Sequence, residues 1–225
     1  MGALDDRPDP AVDGTALMLR DAVAGDAARV AEIQHGIPGS ELIGLFGSAD
    51  QARRFGLRQT TRRGVVDDRR PVIVACRDNR VVGFVQWSIG DVDRTGSRDV
   101  LDALTVVGVR GLVRFPRKMK ARSRVHTPVP ADAFYLAEIH VDPSERGAGI
   151  GGALLDAAIA TAERLGRPLV SLTTTIDNPA RRLYERHGFV VVDERRDAEY
   201  EASCGSPGRV RMDRDRRGAS NPPPG

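Results

Sequence analysis

Cysteine is scarce. Cys76 and Cys204 are the only two in 225 residues and lie far apart. That spacing offers neither a metal-binding cluster nor a disulfide framework, so two reduced thiols and no metal are expected. No apolar run approaches the ~20 residues a membrane helix requires, and no membrane partner is expected. The N-terminus is acidic and proline-bearing, without the apolar region of a secretory signal. It begins Met-Gly, but Asp6 breaks the myristoylation pattern. Together these absences predict a cytoplasmic protein. Lysine is nearly missing: Lys118 and Lys120 are the only ones, so arginine carries almost all the positive charge. A net charge of +3 is too small to imply a nucleic-acid partner. There are no internal repeats.

What is present predicts alternating strands and helices in one domain with a real core. Residues 1–15 are rich in Asp, Pro and Gly and read as disordered. Ala16–Arg20 is a short strand and Asp21–His35 an amphipathic helix. Ile37–Gly47 holds Pro38, Gly39, Gly44 and Gly47 and reads mostly as loop. Ser48 caps a second helix to Arg63. Pro71–Cys76 and Val81–Ile89 form a hairpin around Arg77-Asp-Asn-Arg80. Gly83 predicts a bulge or close packing, and Trp87 a place in the core or in a pocket wall. Residues 91–132, about 40 residues where a few would suffice, are an insertion. Its first half has a helical pattern. Its second half is basic, with Arg110, Arg114, Arg117, Lys118, Lys120, Arg122 and Arg124, and is either a solvated face or a working surface. After Tyr135–Val141 come a glycine-rich loop, a helix to Gly166, a strand at Leu169–Thr173, and a helix ended by Gly188. Strands at Phe189–Val192 and Arg209–Met212 follow, and 213–225 reads as a disordered tail.

The chain is organised around Tyr135–Leu155. Asp142-Pro143 ends the strand, and Arg146-Gly147-Ala148-Gly149-Ile150-Gly151-Gly152 leads into the helix. Glycines at a helix start let a ligand approach the backbone, and the free first-turn N–H groups favour an anion, most often phosphate. Gly147, Gly149 and Gly152 also match the dinucleotide fingerprint. That reading fails on context, because Asp142–Arg146 intervenes after the strand and the next strand ends in Thr173, Thr174 and Thr175 without an acid. A glycine-rich turn without a ligand is the plainest alternative.

Arg146, Gly149 and Gly151 fill the pattern [Q/R]-x-x-G-x-[G/A], and Leu183-Tyr184-Glu185-Arg186-x-Gly188-Phe189 follows at a matching separation. This resembles the GNAT superfamily of acetyl-CoA-dependent N-acetyltransferases, over Ala16–Met212 with 91–132 outside the resemblance. The resemblance implies an α/β (mixed α+β) fold: a central, mostly antiparallel mixed sheet splayed between its fourth and fifth strands, with helices on both faces. It implies acetyl-CoA as cosubstrate and direct attack by a primary amine. Ile139, His140 and Val141 would offer backbone groups to the pantetheine and acetyl moieties. Arg146, Gly147, Ala148, Gly149, Ile150, Gly151 and Gly152 would hold the pyrophosphate. Tyr184 would protonate the departing thiolate. The family's asparagine position is Asp177 here, with Asn178 one residue late, and either would meet the pantetheine.

The general base is not fixed by a motif. Glu138 and His140 share a face of their strand and are the candidates, the former if burial raises its pKa toward neutrality. Glu138 as an ordinary strand residue remains an alternative. The expected partners are acetyl-CoA and an amine, small or protein-borne, with the protein a monomer or homodimer. The rival functions are a non-catalytic acyl-CoA-binding or regulatory domain, and an interaction module working through the basic insertion.

Overall fold

The computed structural model describes residues 16–36, 40–90 and 97–215. The elements run β1 (Met18–Asp21), α1 (Ala27–His35), α2 (Ser40–Phe46), α3 (Ala49–Arg63), β2 (Val72–Arg77), β3 (Arg80–Ile89), α4 (Ser97–Arg124) and β4 (Phe134–Val141). Then follow α5 (Ile150–Arg164), β5 (Leu169–Thr175), α6 (Arg181–Arg186), β6 (Val190–Arg196), α7 (Ala198–Cys204) and β7 (Gly208–Asp215). The seven strands form one mixed sheet in the order β1-β2-β3-β4-β5-β7-β6. Only the central pair, β4 and β5, is parallel.

The hairpin turns where Asp78 and Asn79 both adopt positive φ, the geometry a two-residue turn needs to match strand twist. Alternation along β2 divides the core between two faces. Ile73 and Ala75 pack toward Leu154, Leu155 and Ala158 of α5. Val72, Val74 and Cys76 pack toward Val30 and Ile33 of α1. Gly83 meets both expectations: the β2–β3 register slips beside it, leaving Val82 as an extra residue, and a Cβ there would sit 3.0 Å from the His140 carbonyl oxygen and 3.2 Å from Leu154. Trp87 belongs to the core, stacked on Phe134 with ring centroids 4.6 Å apart.

Three sequence readings need correction. Residues 40–46 are not loop but helix α2. Leu42, Ile43, Leu45 and Phe46 turn inward to a cluster with Phe55 and Phe115, and the Phe46 and Phe55 rings are 4.4 Å apart. Gly44 is not a helix breaker here; a Cβ would lie 2.1 Å from the Ser203 carbonyl oxygen, so glycine lets α2 touch α7. Helix α7 was not anticipated, although Asp197 caps it by accepting from Tyr200 N at 2.8 Å and Gly205 closes it at φ 78°. Finally, β7 extends through Asp213–Asp215, past the boundary read at Met212. The segments 1–15 and 213–225, read as disordered, lie outside the described residues except for Asp213–Asp215.

The insertion is largely α4, 28 residues long with Pro116 inside it. Ala103, Val106 and Phe115 join the α2–α3 cluster, while Ala121 and Val125 pack on Tyr200 and Cys204 of α7. Its basic half is partly solvated, with Arg114, Arg117 and Lys120 exposed, and partly engaged. Arg122 pairs with Glu41, Arg124 with Asp197 and Glu199, Arg117 with Glu199, and Lys118 Nζ donates to the Gly44 carbonyl at 2.6 Å. Half-exposed ion pairs contribute under about 1 kcal/mol each, so the apolar contacts dock this helix and the charges set its register.

Candidate active site

Strands β4 and β5 pair over only Phe134–Val170, Tyr135–Ser171 and Leu136–Leu172. Beyond that point β4 follows β3 and β5 follows β7, so a wedge opens between them. One edge of Ala137–Val141 therefore has no strand partner among the described residues, which leaves backbone groups for a ligand. A bulge marks the fork. Gln86 faces Glu138 and Trp87 faces Leu136, so Ala137 is the extra residue. The bulge shifts side-chain parity. Leu136 and Ile139 both reach the α5 core, while Tyr135, Glu138 and His140 share the opposite, open face.

That face forms the wall of a cleft of about 950 Å³. Gln34 and His35 of α1, Gln59 of α3, and Glu41 of α2 line one side. Met119, Arg122, Ser123, His126 and Thr127 come from α4 and the segment after it. The insertion thus walls the cleft. At the wedge lie Ile139, Asp177, Asn178 and Tyr184.

Glu138 and His140 are joined, with Nε2 of the imidazole 2.8 Å from Oε2 of the carboxylate. The Phe84 ring stacks on His140, centroids 5.4 Å apart. Burial works to raise the Glu138 pKa. The hydrogen bond and charge of His140, with His35 and Arg70 nearby, outweigh it and hold the carboxyl below its ordinary value. The expectation of a raised pKa is therefore corrected: Glu138 is an ionised acceptor at neutral pH. An ionised partner accepts, so His140 donates through Nε2.

His35 is 6% exposed beneath this pair. Its Nε2 lies 3.0 Å from Thr60 Oγ1, whose own proton goes to Gln34 Oε1 at 3.3 Å. The ring must therefore donate through Nε2 and leave Nδ1 bare, and Nδ1 is indeed buried without a partner among the described residues. A Cβ on Gly56 would lie 2.2 Å from that nitrogen, so glycine is what admits the ring. Burial pushes the His35 pKa down to about 4.

Tyr184 is 6% exposed, with Phe189 packed edge-on at 6.2 Å. Burial, with the Glu138 charge nearby, pushes its pKa up to about 12. Asn178 is spent locally. Its Nδ2 donates to Thr174 Oγ1 at 2.6 Å, and its Oδ1 accepts from Ala180 N at 2.9 Å. Asp177 is exposed, its pKa held down by a Ser206 hydrogen bond.

The glycine loop lies outside the cleft, at the start of α5. Gly147 and Gly149 have φ of 86° and 79°, and a Cβ on either would enter open space. Gly149 is the N-cap and supplies no side-chain hydrogen bond, which leaves the first-turn amides of Ile150, Gly151 and Gly152 for a ligand. Gly151 faces Leu183 of α6 at 3.4 Å from its virtual Cβ, and Gly152 faces His187 at 3.8 Å. Arg146 and Ala148 are exposed beside them. The fold thus brings Glu138, Ile139, His140, Asp177, Asn178 and Tyr184 together at the wedge and places the loop on a separate surface. Among the described residues no cluster could hold a metal ion, and no helix is long and apolar enough to cross a membrane.

Residues that sequence reasoning did not single out are His35, Glu41, Thr127 and Arg209. Only Arg122 carried a signal, as part of the basic run.

The family model for the acetyltransferase (GNAT) family matches residues 41–189. No curated protein matches the chain. Among solved structures, a histone acetyltransferase HPA2 and related acetyltransferase from Corynebacterium glutamicum is 20% identical, covering 88% of this chain and 96% of its own, with a TM-score of 0.55. The ribosomal-protein-S18-alanine N-acetyltransferase of Escherichia coli is 16% identical over 89% and 94%, with a TM-score of 0.53. The PaiA N-acetyltransferase of Thermoplasma acidophilum, solved in complex with coenzyme A, is 15% identical over 89% and 99%, with a TM-score of 0.51. At such identities these structures show a shared fold.

Proposed function

The chain belongs to the acetyltransferase (GNAT) family, and on that premise we propose that it moves acetyl from acetyl-CoA to a primary amine by direct attack. The observation that carries this reading is the wedge between β4 and β5, with Glu138, His140 and Tyr184 at its mouth. The Gly147–Gly152 amides bind the pyrophosphate, with Arg146 beside them. Backbone groups of Ile139, His140 and Val141 hold the pantetheine and acetyl group and polarise the thioester oxygen. Asp177 contacts the pantetheine; Asn178 shapes its turn.

The amine arrives mostly as ammonium, since a lysine-like group has a pKa of about 10.4. Its proton passes to the Glu138–His140 pair, directly or through water. The nitrogen attacks the carbonyl carbon, the C–S bond breaks, and the proton lost from nitrogen is balanced by one gained at sulfur. A free thiol has a pKa of about 8.5, so full transfer from a phenol at about 12 is uphill. Tyr184 therefore acts chiefly by donating a hydrogen bond to the developing thiolate, and solvent completes the protonation.

Calorimetric titration with acetyl-CoA, followed by an amine panel with thiol release as readout, tests the proposal. Binding with amine-dependent thiol release supports it. Binding without turnover on any amine leaves the non-catalytic acyl-CoA-binding reading instead.

A further inference from the structure

The far end of the cleft carries a charge that its own residues do not neutralise. Glu41 gives one carboxylate oxygen to Arg122 and the other to Arg209, the latter at 2.5 Å. One carboxylate thus stands against two guanidiniums. Arg209 spends its second amino group on Thr173 Oγ1 at 2.9 Å, which also meets the Tyr135 hydroxyl at 2.9 Å. The Arg122 guanidinium has Glu41 as its one polar partner among the described residues and its side chain is 41% exposed, so its remaining donors are open to a ligand. The remaining carboxylates of the cleft are engaged elsewhere, Glu138 by His140 and Asp177 by Ser206.

A second, independent feature lies on the same segment. Thr127 follows α4 and lines the cleft, and it is 1% exposed. Its hydroxyl is buried without a hydrogen-bond partner among the described residues. An unsatisfied buried hydroxyl costs on the order of 1–3 kcal/mol, which an acceptor oxygen on a ligand would relieve. Guanidinium donors and a vacant hydroxyl together suit a carboxylate.

The position of this end sets the reach of the ligand. Tyr135 anchors the Arg209–Thr173 cluster three residues before Glu138 on β4, about 7–10 Å along a strand that the Ala137 bulge shortens. Resting on the acetyltransferase reading above, we propose that the acceptor is an ω-amino acid: a primary amine joined through several methylenes to a carboxylate, with Arg122 and Thr127 binding the carboxylate while the amine reaches Glu138 and His140. Arg122 is then a specificity-determining residue.

The test compares 6-aminohexanoate, hexylamine and 1,6-diaminohexane, which share a chain length and differ at the far terminus. The expected kcat/KM for 6-aminohexanoate exceeds both others by about tenfold or more at low ionic strength. The gap should narrow as salt screens the pair. In Arg122→Gln the preference should fall toward unity, and Arg122→Lys should retain part of it. Equal use of the three amines, a preference for the diamine, or a preference untouched in Arg122→Gln would overturn the proposal. A readout without turnover is binding of the product analogue 6-acetamidohexanoate against N-hexylacetamide to CoA-loaded protein. Tighter binding of the carboxylate supports the inference and equal binding overturns it. Failure of the underlying reading shows separately, as no acetyl-CoA binding by the wild-type protein, and would take this inference with it.

Discussion

Glu138 and His140, two residues apart on β4, meet through a 2.8 Å contact between Oε2 and Nε2 on the open face of the sheet. Strand alternation alone puts both on one side, but the contact makes them a unit. An ionised carboxylate orients the imidazole, so the two groups share one task.

Shared work predicts non-additivity. Glu138→Gln and His140→Gln should each lower kcat/KM near neutral pH by about 10²-fold, the low end for general-base loss. The double variant should be little worse than the more damaged single one. Both losses should shrink at high pH, where free amine is plentiful. Steady-state pH profiles of the three variants measure this. Effects that multiply would make the two residues independent, and a rate kept in both singles would give proton removal to bulk-connected water.

The loop can be probed against a matched control. Gly149 and Gly166 both have positive φ, 79° and 63°, and both face open space where a Cβ would go. Alanine at either should cost about 1–2 kcal/mol of left-handed strain. Only Gly149→Ala should also weaken acetyl-CoA binding, by about tenfold or more, because the added methyl enters the phosphate approach. Urea unfolding and calorimetry separate the two effects. Equal acetyl-CoA affinity in both variants would remove the loop from the binding site.

His35 predicts an acid-sensitive fold. Burial lowers its pKa from 6.5 to about 4, so the unfolded chain binds the proton first as pH falls. The contribution is intact above pH 6.5 and is lost progressively down to about pH 4. A shift of that size corresponds to about 3 kcal/mol in total. Glu138, whose pKa is also lowered, adds its loss only below its ordinary value of 4.5. Denaturant unfolding between pH 6.5 and 4.5 should thus show a slope that His35→Gln flattens. An unchanged slope would contradict a buried neutral imidazole.

Much of this architecture was legible in the residues. The hairpin at Asp78-Asn79, the Asp142-Pro143 strand end and the glycine-capped helices are local signals, and each formed where its chemistry put it. Helix α2 was not legible, because Gly39, Gly44 and Gly47 mimic a loop. What makes Gly44 helical is a contact with Ser203, which lies in a distant part of the chain. The direction of the Glu138 pKa was hidden for the same reason, since His35 and Arg70 reach it from α1 and the segment before β2. The basic half of α4 showed its charge but not its partners, Glu41, Asp197 and Glu199.

That docking gives a prediction for the insertion. Gly44→Ala should drive α2 from α7, because the new methyl would lie 2.1 Å from a backbone oxygen that cannot swing away. Overpacking of this kind costs about 1–3 kcal/mol. Since α2 carries Glu41, the KM for the amine should rise more than the KM for acetyl-CoA. Arg117→Gln removes only an exposed ion pair and should shift stability by less than about 1 kcal/mol. Comparable losses in the two variants would mean that charge, not contact, docks the helix.

The claim that this wedge performs acetyl transfer is tested most directly at Tyr184. Tyr184→Phe keeps the ring packed against Phe189 and deletes only the hydroxyl. Single-turnover measurement of thiol release, with acetyl-CoA affinity measured in parallel, isolates the chemical step. The account predicts a rate lowered by about 10²–10³-fold, the cost of losing one donor to developing charge, with affinity within about twofold of wild type. A rate within about twofold of wild type would contradict it.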